Sequence, residues 1–235
     1  MRSTSTHKAI GLCVLLTVVM AVSAGNAQAA PEWMEAGVNI VGAAQSAEIK
    51  TTLENGSGSL LTTISGLAIR VTCTAMSVSG IKLTAGGNTT NGKATFTGCE
   101  IYKNSNGEPL ECAVRTVAQP GGKIVTRNIH GDIVLHEGGK PVSLIKVGEI
   151  VEPERFATLL TEGCTLPEVI PVFGGLEAED CENRYEEERL THLLKEEPAL
   201  THMYVISDTA EHKATVDGSA NVFLANDANW RGLAG

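Results

Sequence analysis

Residues 67–74 read LAIRVTCT, and apolar and polar side chains alternate along them. Ile69, Val71 and Cys73 therefore share one face of an extended segment, and the polar residues between them share the other face. Period-two alternation with β-branched residues is typical of a strand with one buried face. This stretch predicts the fold class of the chain, because the same pattern returns further along the sequence.

Similar short alternating runs include Ala94 with Phe96, Cys112 with Val114, and Val222 with Leu224. Between such runs lie dipeptides that supply the positive φ angles of tight turns. Many short strands with frequent turns predict a mainly β protein, built as an antiparallel sandwich or barrel-like sheet. The turn dipeptides are Asn55-Gly56, Gly86-Gly87, Asn91-Gly92, Asn106-Gly107, Gly121-Gly122, Gly138-Gly139 and Asp217-Gly218.

Residues 177–197 depart from this pattern because they are rich in Glu and other good helix formers. Tyr185 and three leucines fall roughly on one helical stripe, and Pro198 ends the run. We therefore expect one acidic amphipathic helix, about 183–196, inserted between strands. It would cover the sheet as a solvated lid, which is the simpler interpretation, or act as an acidic element that docks a partner or attracts cations.

Residues 1–29 have the three parts of a secretory signal peptide. A polar start with Arg2 and Lys8 precedes an uncharged apolar run, which ends in the small residues Ala27-Gln28-Ala29. The run is shorter than the ~20 residues that span a bilayer, which disfavours a membrane anchor. We expect cleavage after Ala29, which leaves residues 30–235 as a single β-rich domain, secreted or associated with the cell envelope.

The charge and composition disfavour several classes of partner. The formal net charge is −9, and loss of the signal peptide would remove two further positive charges. An acidic surface repels phosphate backbones and anionic lipids, so we expect no nucleic-acid partner and no transmembrane segment or membrane adhesion after signal cleavage. Aromatic residues make up only 4% of the chain, which disfavours a sugar-binding surface built from stacked rings. An unidentified protein or envelope polymer is the partner class that remains.

Cysteine content predicts two disulfide bonds. Without Cys13, which belongs to the signal peptide, five cysteines remain. Thiols pair in an oxidising compartment, and an odd number leaves one of them free or paired between chains. We favour a bond that closes a short loop, Cys164 with Cys181, and a second bond within the group Cys73, Cys99 and Cys112.

Residues 67–148 carry a further combination of elements. A strand ends at Cys73, the sequence Phe96-Thr97-Gly98-Cys99 follows, and residues 122–126 read GKIVT. This combination resembles a group of exported, uncharacterised proteins of soil actinobacteria, which share a signal peptide, an isolated strand cysteine, a Phe-x-Gly-Cys element and a Gly-x-Ile-x-Thr strand. The resemblance implies fold and location and carries no activity. Cys181 and the acidic helix depart from the group's pattern.

Candidate catalytic residues are few. His130 and Asp132 are two residues apart, so on a strand they would share a face, and the carboxylate could orient a catalytic imidazole. The same spacing describes a polar hairpin edge, which is the simpler interpretation. Ser57 lies between two glycines but lacks the Gly-x-Ser-x-Gly spacing of a nucleophile elbow. Oxidised cysteines would be poor nucleophiles.

The histidines do not have the spacing of a metal site. Zinc ligands usually occur in closer pairs than the ten-residue intervals found here. Calcium-loop and phosphate-loop patterns are also absent from the sequence. We therefore expect no metal and no cofactor. The histidines considered are His130, His136, His192, His202 and His212.

These observations favour a non-catalytic secreted or cell-envelope protein with a binding or structural role. The alternative is a secreted hydrolase that uses His130 and Asp132. A cluster of histidine and acids inside a pocket would favour the enzyme. A surface without such a cluster would favour the binding protein.

Overall fold

The computed structural model describes residues 30–135, 141–148, 155–178, 189–195 and 203–233. These ranges contain nineteen β-strands, one 3-10 turn at Ala85–Gly87 and no α-helix. The mainly β class is therefore confirmed. The strands are β1 Glu32–Glu35, β2 Val38–Asn39, β3 Gln45–Ile64, β4 Leu67–Cys73, β5 Ala75–Ser79, β6 Lys82–Thr84, β7 Lys93–Thr97, β8 Glu100–Lys103, β9 Ala113–Arg115, β10 Lys123–Val125, β11 Ile129–Leu135, β12 Pro141–Val147, β13 Arg155–Glu162, β14 Val169–Phe173, β15 Leu176–Ala178, β16 Arg189–Lys195, β17 Tyr204–Ser207, β18 Ala210–Leu224 and β19 Trp230–Leu233.

The expected helix is wrong for the part that the structure describes, because Arg189–Lys195 forms strand β16. This strand pairs antiparallel with β15 on one side and with β18 on the other. Helix propensities of ordinary residues differ by less than about 0.7 kcal/mol each, so pairing on both edges outweighs the preference of the segment. Residues 183–188 and 196 lie outside the described residues.

Two long strands, β3 and β18, connect the two halves of the molecule. They pair antiparallel along two stretches, residues 49–53 with 220–224 and residues 58–62 with 214–218. Between these stretches β3 has four residues, 54–57, where β18 has only one, Ser219. The resulting bulge lies between the two paired stretches, one of which belongs to each half of the molecule.

The first half is a closed ring of strands. Pairing runs from β3 through β6 to residues 88–92, then through β11, β12, β15, β16 and β18 back to β3. Residues 88–92 complete the circuit because Gly92 and Ile129 exchange both backbone hydrogen bonds, at 2.9 and 2.7 Å. We call this part of the fold the closed ring.

The second half continues the same sheet from the other ends of the long strands. From β18 the order is β17, β14, β13, β9, β10, β7 and β5, whereas β4 and β8 extend the sheet from β3. The pairing is antiparallel except between β9 and β10, which are parallel. The predicted buried face of β4 is confirmed, since Ile69, Val71 and Cys73 are all buried.

Two disulfide bonds are present among the described residues, Cys73–Cys99 and Cys112–Cys164. The first is one of the pairs expected within the group of three. The expected bond between Cys164 and Cys181 is wrong, because antiparallel pairing of β9 with β13 brings Cys112 beside Cys164. Cys181 lies outside the described residues.

A separate three-stranded sheet joins the first described strand to the last. β1 pairs antiparallel with both β19 and β2. Its two tryptophans, Trp33 and Trp230, are each only 2% exposed. Both contribute to the wall of a cavity inside the closed ring, so this sheet covers one end of the ring. In the described part of the chain, no helix is long and apolar enough to cross a membrane.

Candidate functional site

The closed ring encloses a cavity of about 110 Å³. Period-two alternation builds its wall, because every second residue of each strand points inward. Most of these residues are aliphatic, so the interior surface is almost entirely apolar. The wall includes Ile49 and Thr51 of β3, Ile129 and Gly131 of β11, Ser143 and Ile145 of β12, Leu176 and Ala178 of β15, and Ala220 and Val222 of β18.

A second cavity, of about 80 Å³, lies in the other half of the molecule. Phe96, Phe156 and Leu176 contribute to the walls of both cavities. These three side chains therefore form the partition between the two spaces. Rotation of the phenylalanine rings would widen or narrow the opening between the two cavities.

Three residues that line the first cavity, Trp33, Thr51 and His130, each have a buried polar side-chain atom with no hydrogen-bond partner among the described residues. Trp33 Nε1 and Thr51 Oγ1 are buried, and neither has a hydrogen-bond partner among the described residues. An indole N–H can only donate, whereas a hydroxyl group can donate and accept. Leaving such a group unpaired costs about 1–3 kcal/mol. These atoms mark the polar part of the candidate site.

His130 borders the same cavity, but its side chain belongs to the other face of β11. On this strand Ile129, Gly131 and Ile133 are the buried residues that point inward, and His130 alternates with them. The imidazole is 26% exposed and lies beside Asp132 on the outer face. In the described wall no Asp, Glu, Lys or Arg lines the cavity, and the one titratable lining residue is His130, whose Nε2 lies beside Asp132 while its buried Nδ1 has no partner in the described chain.

The structure does bring the predicted pair His130 and Asp132 together. The Nε2 atom of His130 lies 3.5 Å from Oδ2 of Asp132. Lys146, which is paired with His130 across β11 and β12, approaches the same oxygen at 2.8 Å. A nucleophilic site would also require a hydroxyl or thiol group bonded to the imidazole. Among the described residues, His130 has no hydrogen bond to a Ser, Thr or Cys side chain.

The other candidate residues are dispersed. Ser57 is exposed and lies in the bulge of β3, and His212 lies on β18 opposite Val205. His192 is on β16, while His136 and His202 lie outside the described residues. In the described ranges, no three His, Cys, Asp or Glu side chains are close enough to hold a metal ion.

Neither Trp33 nor Thr51 was among the site residues predicted from the sequence. One signal was available for Thr51, because it falls on the alternating face of β3 between Ile49 and Leu53. A hydroxyl group in the middle of an apolar face needs a partner in the interior. Trp33 carried no comparable signal, since its position depends on pairing with the other end of the chain.

No protein-family model, curated protein or solved structure matches this chain. The function is therefore argued from the site itself, since a fold alone does not define an activity.

Proposed function

We propose that this protein is a non-catalytic secreted or cell-envelope protein that binds a small apolar molecule inside the closed ring. The observation that carries the proposal is the apolar cavity of about 110 Å³. Protein interiors are close-packed and rarely leave a space of this size. An apolar cavity of about 150 Å³ is known to hold benzene, so the space suits a ligand of about that size or slightly smaller.

The chemistry of the wall supports binding over catalysis. Burial of apolar ligand surface is favourable without any directed contact, at roughly 25 cal/mol per Å². Ligand pockets are mostly apolar and contain a few polar groups that fix orientation. Trp33 and Thr51 fit that description, whereas His130 and Asp132 lie on the outer face of β11.

Export is supported by two independent features. The first is the signal-peptide pattern of residues 1–29, which predicts a mature protein that begins at Ala30. The second is the pair of disulfide bonds, which are compatible with an oxidising compartment. An additional protein or envelope-polymer partner on the outer surface stays a prediction.

Tryptophan fluorescence tests the proposed binding directly. Trp33 and Trp230 are the only tryptophans in the chain, and both contribute to the cavity wall. We expect benzene to produce a saturable change in their emission. Ala220→Leu fills the cavity and should abolish this change, whereas Ala68→Leu, on the exposed face of β4, should leave it intact.

Circular dichroism of both variants would establish that they fold. The absence of a saturable signal in the unmodified protein would contradict the proposal. So would equal binding by folded Ala220→Leu.

A secreted hydrolase that uses His130 and Asp132 is the second candidate. The contact of 3.5 Å between the imidazole and the carboxylate is the observation that favours it. Hydrolysis of p-nitrophenyl acetate distinguishes the two readings. A non-catalytic binding protein should give the same slow release of p-nitrophenol with and without the His130→Ala substitution. Saturable turnover that His130→Ala abolishes would favour the enzyme.

A further inference from the structure

We infer that the ligand of the first cavity carries one uncharged hydrogen-bonding oxygen, a carbonyl or a hydroxyl group, which pairs with Trp33 Nε1 and Thr51 Oγ1. This inference rests on the proposed function, because it specifies the chemistry of a molecule bound in the same cavity. It limits the ligand class to small ketones, aldehydes, esters or alcohols with an apolar body.

Thr51 is exceptional among the buried threonines of the described chain. The hydroxyl group of Thr62 donates to the backbone of Lys213 at 2.9 Å, and that of Thr126 accepts from the backbone N–H of Ala94 at 3.0 Å. Thr116 and Thr161 also have backbone partners, at 3.1 and 2.6 Å. Only Thr51 Oγ1 has no partner in the described residues, although Thr51 is just 9% exposed.

Trp33 presents the complementary case of an unpaired donor. Pairing of β1 with β19 holds it opposite Gly232, where the side chain is 2% exposed. Its indole N–H finds no acceptor among the described residues. Because both Trp33 and Thr51 line the cavity, an oxygen atom of a ligand inside it would satisfy polar atoms that the described chain leaves unpaired.

The electrostatics of the wall favour an uncharged oxygen. A carboxylate or ammonium group in this cavity would lose its hydration and find no Asp, Glu, Lys or Arg in the described wall to pair with. The cost of an unpaired buried ion is several kcal/mol after relaxation. A neutral carbonyl or hydroxyl oxygen costs much less to dehydrate, and its hydrogen bonds recover that cost.

Four five-membered-ring compounds test the inference by calorimetric titration of the mature protein. Cyclopentane supplies the apolar body alone, while cyclopentanone and cyclopentanol add a neutral oxygen and cyclopentylammonium adds a charge. We expect the ketone or the alcohol to bind roughly fivefold to tenfold more tightly than cyclopentane, which corresponds to one net hydrogen bond. The cation should bind most weakly.

Variants then assign the effect to the two side chains. Thr51→Val keeps the shape of the side chain and removes the hydroxyl group, and Trp33→Phe removes the indole N–H. We expect both variants to keep cyclopentane binding while the preference for oxygen falls severalfold. Thr52→Val is the matched control, since Thr52 is the exposed neighbour on the opposite face of β3 and should leave the preference unchanged.

The outcomes separate this inference from the proposed function. Equal binding of cyclopentane and the oxygen compounds would overturn the inference, as would a preference that survives in both variants. Either result would leave the apolar cavity as a binding site. Failure of all four compounds to bind would overturn the inference and the proposed function together.

Discussion

The indole ring of Trp33 packs edge-to-face against that of Trp230, with ring centroids 5.7 Å apart and planes inclined by 61°. The two residues lie on β1 and β19, the first and last strands of the described chain, which pair antiparallel. Aromatic pairs in this geometry contribute about 0.5–1.5 kcal/mol beyond the area they bury. The contact therefore stabilises the small sheet that covers one end of the closed ring.

We expect Trp33→Ala to lower the free energy of unfolding by about 3–5 kcal/mol, because it removes a fully buried aromatic side chain and enlarges the cavity. Val38→Ala is the control in the same small sheet. Val38 is 68% exposed, so its truncation should change stability by less than about 0.5 kcal/mol. Urea unfolding measures both values, and equal small effects would show that the sheet does not cover the ring.

Closure of the ring depends on a glycine at position 92. A Cβ atom there would lie 2.3 Å from the carbonyl oxygen of Ser79 and 2.4 Å from Cγ1 of Ile81. Gly92→Ala must therefore displace backbone, and we expect a loss of about 1–3 kcal/mol or more. Gly121→Ala is the control, since its added Cβ would approach only Ala113, at 3.9 Å. Thermal melts of the two variants should differ clearly, and matching melting temperatures would contradict this account of ring closure.

The disulfide arrangement has a direct chemical test. Proteolysis of the alkylated, unreduced protein should release one linked peptide with Cys73 and Cys99 and another with Cys112 and Cys164. We expect Cys181 to be the odd cysteine, either alkylated or linked to a second chain. A peptide that joins Cys164 to Cys181 would contradict the arrangement.

The two disulfide bonds should also differ in how much each contributes to the free energy of unfolding. They span sequence separations of 26 and 52 residues, so the loop-entropy model assigns about 3.5 kcal/mol to Cys73–Cys99 and about 4 kcal/mol to Cys112–Cys164. Paired serine substitutions of each bond, compared by denaturant unfolding, measure this difference.

Glu48 should contribute to the acid sensitivity of the fold. Its pKa is lowered below the ordinary 4.5, first because the backbone N–H of Gly80 donates to its carboxylate at 2.8 Å, and second because Lys50 lies nearby. A lowered pKa means that the stabilisation is present above pH 4.5 and is lost as the pH falls through the folded-state value. Glu48→Gln should therefore reduce stability at neutral pH and flatten its decline below pH 4.5.

Denaturant midpoints at pH 7 and at decreasing acidic pH measure this effect, with the exposed Glu111→Gln as the control. An NMR titration of the Glu48 side chain would supply the pKa itself. A value at or above 4.5 would contradict the contribution of the Gly80 hydrogen bond.

Local patterns in the sequence predicted local structure well. The alternation at Ile69, Val71 and Cys73 gave the buried face of β4. The Gly121-Gly122 dipeptide forms a turn, with Gly122 at a φ of 71°. Both features depend only on residues that are neighbours in the chain, so the sequence contains the necessary information.

Other sequence patterns are compatible with more than one local structure, and long-range strand pairing decides which of these forms. Asp217-Gly218 reads as a turn but lies inside β18, where a Cβ at Gly218 would come within 3.1 Å of the Gly58 Cα atom. This glycine permits close approach of two backbones rather than a change of direction. The leucine-rich part of β16 likewise becomes a strand because it has a partner on each side.

The candidate site could not be predicted from the sequence, for the same reason. Its wall combines side chains from β3, β11, β12, β15 and β18 with others from strands as distant in sequence as β1 and β19, so the cavity exists only after the chain has folded. Thr51 was recognisable as a polar residue on an apolar face. The sequence did not reveal that its hydroxyl group lacks a partner, because the other buried threonines of the described chain have backbone hydrogen-bond partners.

Pairing of β1 with β19 has a consequence for the order of events during folding. Glu32 is aligned with Leu233, so the covering sheet cannot be completed until nearly all of the described chain is present. Contacts between residues so distant in sequence make loop closure slow, and folding rates fall as contact order rises. If the chain is exported from its amino end, as proposed, its earliest strand would be paired with β2 alone and would lack its β19 partner throughout transit. In that case, protection of the free edge of β1 by a chaperone, or its late assembly with β19, would be a step in producing the folded protein.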